Sequence, residues 1–150
     1  RDVMAAPDAR VFLEFEDGRW SASASVATRL AREYSRGSQA ELSGAYAVFL
    51  GKQLVVSVGA RGTWMDGRYA RNFFGITPAQ SSVTGLPVYE ATSGARDANV
   101  FVQAVYAWTP RWSTFASLEE GWLLGAARDS PITQRSQRTV ALLVTTYRFR

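Results

Sequence analysis

The chain contains no cysteine and no histidine. Without Cys there is no disulfide framework and no thiolate-ligated metal. Without His, imidazole acid–base catalysis and His-ligated metals are out of reach. Hydrolases that pair a nucleophile or carboxylate with His also lose their usual base. The residues therefore argue against an enzyme and suggest no cofactor. Lysine is nearly missing too. Lys52 stands alone, so the basic excess of 17 Lys and Arg over 13 Asp and Glu is almost all arginine. That excess is modest and follows no helical stripe, which leaves nucleic-acid binding without support. No apolar run reaches the roughly 18 residues that a spanning helix requires. Yet 47% of the residues are apolar while the mean hydropathy is only −0.12. A barrel whose apolar residues occupy every second position would average out in this way. The first residues, Arg1-Asp2-Val3-Met4, do not read as a signal peptide.

Seven runs alternate with period 2, near the length of a membrane-spanning strand. They cover about 9–16, 20–31, 40–50, 53–64, 97–108, 112–124 and 138–149. In the first, Val11, Leu13 and Phe15 oppose Phe12, Glu14 and Glu16. In the second, Trp20, Ala22, Ala24 and Val26 oppose Ser21, Ser23 and Ser25. The third sets Leu42, Tyr46, Val48 and Leu50 against Glu41, Ser43, Ala45 and Ala47, and the fourth sets Leu54, Val56, Val58, Ala60 and Trp64 against Ser57, Gly59, Arg61 and Thr63. The fifth places Val100, Val102, Ala104, Tyr106 and Trp108 opposite Asn99 and Gln103. The last puts Ala141, Leu143, Thr145, Tyr147 and Phe149 on one face and Val140, Leu142, Val144, Thr146 and Arg148 on the other. The best helical candidate is 26–34, although the Ser/Ala alternation runs straight into it. No other segment has a useful 3.6-residue repeat, so 65–96 reads as a long loop.

A soluble sandwich also alternates. Two features point to lipid instead. Trp20, Trp64, Trp108, Trp112 and Trp122 all fall within about two residues of an expected strand end, as in the aromatic girdles of transmembrane barrels. The connections also alternate, short at 17–19, 51–52 and 109–111 and long at 32–39, 65–96 and 125–137. That is the pattern of periplasmic turns and extracellular loops. The fold class expected is therefore all-β, an antiparallel up-and-down transmembrane β-barrel. With the last strand ending in the periplasm, seven strands put residue 1 on the extracellular side, whereas a complete bacterial barrel has an even strand number. Residues 1–150 are then expected to be the C-terminal part of one outer-membrane barrel domain, without its N-terminal strands and signal peptide.

Several segments carry more specific information. Residues 73–89 read FFGITPAQSSVTGLPVY, followed by Trp108-Thr109-Pro110-Arg111-Trp112-Ser113, Leu123-Leu124-Gly125, Asp129-Ser130-Pro131-Ile132 and a closing Tyr147-Arg148-Phe149. In this order and spacing the set resembles the MipA/OmpV family, the MltA-interacting outer-membrane proteins. Phe74, Gly75, Thr77, Pro78, Gln80 and Ser81 make the most specific part of the likeness, and Tyr147 and Phe149 resemble the family's terminal assembly signal. Two departures stand out. The chain continues to Arg150 past the terminal aromatic, and Glu119-Glu120 stand where the family often has Gly and Tyr. Adjacent strand residues face opposite sides, so one of the two carboxylates points outward, which is cheapest near a membrane interface.

The resemblance implies localisation in the bacterial outer membrane and a scaffold role. Such a scaffold would join a murein lytic transglycosylase to a murein-synthesising penicillin-binding protein. The other roles it implies are a small-solute channel and a surface adhesin. Independently of the family, Arg68, Arg71, Arg96, Arg128 and Arg135 fall on the expected extracellular side. Guanidinium forks suit phosphate, so this rim is a candidate for lipopolysaccharide phosphates. Tyr69, Phe73 and Phe74 of the long loop either fold inward across the lumen or form an exposed tip.

Overall fold

The computed structural model describes residues 8–29 and 37–149. Seven strands run β1 (Asp8–Asp17), β2 (Trp20–Arg29), β3 (Gly37–Leu50), β4 (Leu54–Met65), β5 (Gly94–Ala107), β6 (Trp112–Leu123) and β7 (Gln137–Tyr147). They form one sheet in sequence order, and every neighbouring pair is antiparallel. All seven alternating runs are strands, with ends shifted by a few residues. Val26–Arg29 belongs to β2, so the first part of the helical candidate 26–34 is extended; residues 30–34 lie outside the described residues.

The meander sends successive connections to opposite rims. Residues 18–19, 51–53 and 108–111 join strands at one rim, while 66–93 and 124–136 join them at the other. The tight turns use Gly18 and Gly51 at φ of 59° and 73°, a backbone conformation that disfavours side chains with a Cβ. Among the described residues, no helix is long and apolar enough to cross a membrane.

The register fixes which residues share a face, because directly paired residues point the same way. One row reads Leu13–Ala24–Leu42–Gly62–Ala98–Trp122, and another reads Trp20–Tyr46–Val58–Val102–Leu118–Ala141. This face, here called outward, leaves Leu13 74%, Leu42 66%, Val58 53%, Leu118 54% and Leu143 72% exposed. An apolar surface running across seven strands is far beyond what a water-soluble monomer displays. The opposite, inward face carries Glu14, Ser23, Glu41, Ser43, Arg61, Asn99, Gln103 and Glu119. Its hydroxyls pair across strands, as in Ser23–Ser43 at 2.7 Å and Ser113–Thr146 at 2.8 Å.

The packed core lies at the long-loop rim. Here the structure corrects the reading of 65–96 as a loop. This segment holds α1 (Gly67–Phe74) and α2 (Pro78–Thr84), and the last long connection holds α3 (Gly125–Arg128). Met65, Ala70, Ala91 and Ala127 are fully buried together, with Tyr69, Phe74, Tyr89 and Leu123 packed around them. An isolated helix of two turns is unstable, and tertiary contacts hold these. The Ser130 hydroxyl donates to the Phe74 carbonyl at 2.6 Å, and the Tyr89 hydroxyl to the Ala126 carbonyl at 3.1 Å.

Candidate functional site

The long-loop rim is built on Asp66. Its carboxylate accepts from the Tyr69 amide at 2.6 Å, capping α1, and from the Ser38 amide at 2.9 Å, tying the helix to β3. Gly37 lies directly beneath α1, and a Cβ there would come within 2.6 Å of the Tyr69 backbone. So anchored, α1 lies across the inward side. Tyr69 and Phe73 stack with centroids 4.3 Å apart, and Tyr69, Phe73 and Phe74 line a cavity with Glu41, Arg61 and Glu119 of the sheet. Of the two placements open to these aromatics, the structure takes the inward one.

A bulge sharpens the charge pattern. Thr63 pairs with Asp97 and Trp64 with Ala95, so Arg96 is an extra residue in β5. Bulges re-aim side chains, and Arg96 reaches the inward side to bind Asp97, Gln39 and the Tyr69 hydroxyl. Nearby, Arg61 lies 3.9 Å from Glu41 and 3.7 Å from Glu119, while Arg138 lies 3.8 Å from Glu119. Two glycines make room. A Cβ at Gly59 would meet the Phe101 ring at 2.4 Å, and one at Gly121 would meet Asn99 Oδ1 at 2.2 Å. Phe101 in turn lies 5.7 Å from the Arg61 guanidinium, within cation–π range.

The five rim arginines are not one cluster. Arg68 and Arg71 are exposed on α1, and Arg135 is exposed before β7. Arg128 is held by Asp129 at 2.8 Å, and that hydrogen bond and charge raise the guanidinium above its usual pKa. Arg96 is bound inward by Asp97, Gln39 and Tyr69, on the wall of a cavity that Arg135 also lines. The family-motif residues form a local folding device. Gly75 ends α1, where a Cβ would fall 2.5 Å from the Arg71 carbonyl. Thr77 and Gln80 form a reciprocal capping box, Pro78 sits in the first turn of α2, and Ser81 accepts from the Gly85 amide at its end.

Aromatics band the outward face. At the short-turn rim Trp20 packs on Tyr46, Tyr106 on Trp108, and Trp112 on Tyr147, with centroids 4.7, 4.5 and 4.8 Å apart. Phe149 packs edge-on against Tyr147 and is otherwise exposed. Trp64 and Trp122 mark the other rim. Glu119 and Glu120 divide as adjacent strand residues do. Glu119 turns inward to Arg61 and Arg138, while Glu120 turns outward and accepts from Thr139 and Gln137.

An up-and-down sheet with one apolar face bounded by aromatics, a charged opposite face and long loops at one rim only defines the transmembrane β-barrel class. The chain belongs to the MipA family: the model described as MltA-interacting protein MipA matches residues 1–149. That family is a non-enzymatic β-barrel family associated with the outer membrane, and its name records an interaction with MltA, a lytic transglycosylase. No curated protein and no solved structure matches the chain.

Proposed function

We propose that the chain is part of an outer-membrane β-barrel that serves as a scaffold for the murein machinery, holding a lytic transglycosylase and a penicillin-binding protein at the periplasmic face. The family match carries this reading. The apolar outward face supports the membrane placement, and the short-turn rim is then periplasmic. Arg19, Lys52 and Arg111 lie on its turns. These turns are small against the roughly 800 Å² per partner of a standard interface, so the rest of the barrel would supply further contacts. Photo-crosslinking from positions 19, 52 and 111 in cells tests the scaffold. Adducts with a lytic transglycosylase are expected, and their absence from all three positions counts against it.

The strand parity supports the chain being the C-terminal part of the barrel. β1 and β7 are the sheet edges and run in the same direction, so they cannot pair antiparallel with each other. An open edge in hydrocarbon leaves backbone groups unsatisfied. The barrel is completed by an odd number of strands outside the described residues. The exposure of Arg68, Arg71, Arg128 and Arg135 at the long-loop rim supports a lipopolysaccharide-phosphate rim there. The polar inward face favours a second reading, a small-solute channel. Steady unitary currents in planar bilayers would support the channel over a pure scaffold.

A further inference from the structure

Between the inward face of the sheet, α1 and the segment entering β7 lies a cavity of about 490 Å³, within the size range of small-molecule sites. Two observations set it apart from a generally polar lumen. First, Thr63 is only 4% exposed, and its hydroxyl has no hydrogen-bond partner among the described residues. Buried polar groups almost always have partners. Second, guanidinium donors outnumber the acceptors that engage them. The contacts of Arg61 and Arg138 with Glu41 and Glu119, at 3.7–3.9 Å, are longer than the roughly 2.7–2.9 Å of a charge-assisted hydrogen bond. Arg135, also on the cavity wall, has no partner among the described residues. Asp97, by contrast, is taken by Arg96 and Asn99.

The two ends of the cavity ask for different groups. The side lined by Arg61, Arg135 and Arg138 suits an oxyanion. Thr63 sits in register between Glu41 and Asp97, where a second anion would be repelled and a hydroxyl can donate to carboxylate and accept from Thr63. The stacked rings of Tyr69 and Phe73 offer the same cavity a flat apolar wall. We propose that this cavity binds a small hydroxylated organic anion of the sugar-acid class, with its carboxylate among the arginines and its hydroxyls toward Thr63 and Glu41. The site is independent of the scaffold role.

Calorimetric titration of the folded protein in detergent micelles tests this, with glucuronate as the probe and glucose and acetate as comparisons. Saturable glucuronate binding is expected, at least tenfold tighter than that of glucose, which lacks the charge, or acetate, which lacks the hydroxyls. Arg138→Gln and Thr63→Val should each weaken it about tenfold, the loss of one hydrogen bond to a charged or buried partner. The Arg138 side chain is 71% exposed, so its replacement leaves folding intact, and Thr63→Val is nearly isosteric and removes an unpaired hydroxyl. Unaltered thermal unfolding of both variants makes their affinities comparable. The proposal is overturned if glucuronate shows no saturable binding, if glucose or acetate binds equally well, or if both variants keep the parent affinity.

Discussion

Replacing Leu118 with Arg should destabilise the barrel in a bilayer by about 2–4 kcal/mol, the cost of a lipid-facing Arg near the midplane. The depth follows from the strand. Ten residues separate Trp112 from Trp122 on the outward face of β6, which at a rise of about 3.4 Å per residue is about 34 Å along the strand. A tilt of about 40° turns that into about 26 Å of height, close to the ~25 Å apolar band of such barrels. Leu118 lies six residues from Trp112 and four from Trp122, hence about 10 Å below the upper aromatic band and near the middle. The matching control is Ser117→Arg, at the same height but inward, paired with Gln103 and Leu142. Equilibrium urea unfolding in lipid vesicles, followed by Trp emission, should show a large shift of midpoint for Leu118→Arg and a small one for Ser117→Arg. If the outward face met water, Leu118→Arg would change stability by no more than about 0.5 kcal/mol. Equal midpoints for the two variants would refute the lipid assignment of that face.

Three further outcomes follow from the rim. Asp66→Ala removes a helix cap worth about 1 kcal/mol and a charge-assisted bond to the Ser38 amide worth about 1.5–3 kcal/mol. Hydrogen exchange by mass spectrometry should then run on the order of 60- to 700-fold faster in α1, while the sheet amides other than that of Ser38 are unchanged. Gly37→Val drives a side chain into the Tyr69 backbone, so proteolytic cleavage within 66–93 should accelerate without loss of the barrel. Replacing Arg68, Arg71 and Arg128 with Gln should lower the lipopolysaccharide that co-purifies with the protein, and unchanged co-purification would sink the phosphate-rim idea.

Strands and faces were legible in the sequence because both reduce to a period of 2 and to connection length. Even Glu119 and Glu120 could be assigned to opposite faces by parity, and the weakly polar inner side of β7 kept the expected register through Trp112–Tyr147 and Ala116–Leu143. The rim was not legible as a fold. α1 has eight residues and α2 seven, too few turns for a 3.6-residue period to stand out. Their order comes from contacts distant in sequence, such as Asp66 with Ser38 and Phe74 with Ser130. One local signal was there to be read: Thr77-Pro78-Ala79-Gln80 spells a capping box with proline at the helix start. The inward turn of Arg96 was hidden for another reason. A single inserted residue shifts the parity of everything before it in the strand, and alternation alone does not locate the insertion.

The inward face is also uneven around the sheet, and this bears on what the barrel can conduct. Its charges gather on β3 to β6 at the long-loop rim, in Glu41, Arg61, Asp97 and Glu119, with Arg138 at the start of β7, and again on β1, in Arg10, Glu14 and Glu16. The two edges differ. Phe12 of β1 and Val140, Leu142 and Val144 of β7 also point inward, and Phe12 and Leu142 are 64% and 51% exposed in this open sheet. Burying these residues against completing strands would remove apolar surface from water at about 25 cal/mol per Å². The charged side at the long-loop rim is overlaid by α1 through Tyr69, Phe73 and Phe74. These aromatics narrow the long-loop rim over β3 to β6, and steady unitary currents would distinguish a narrowed channel from a scaffold.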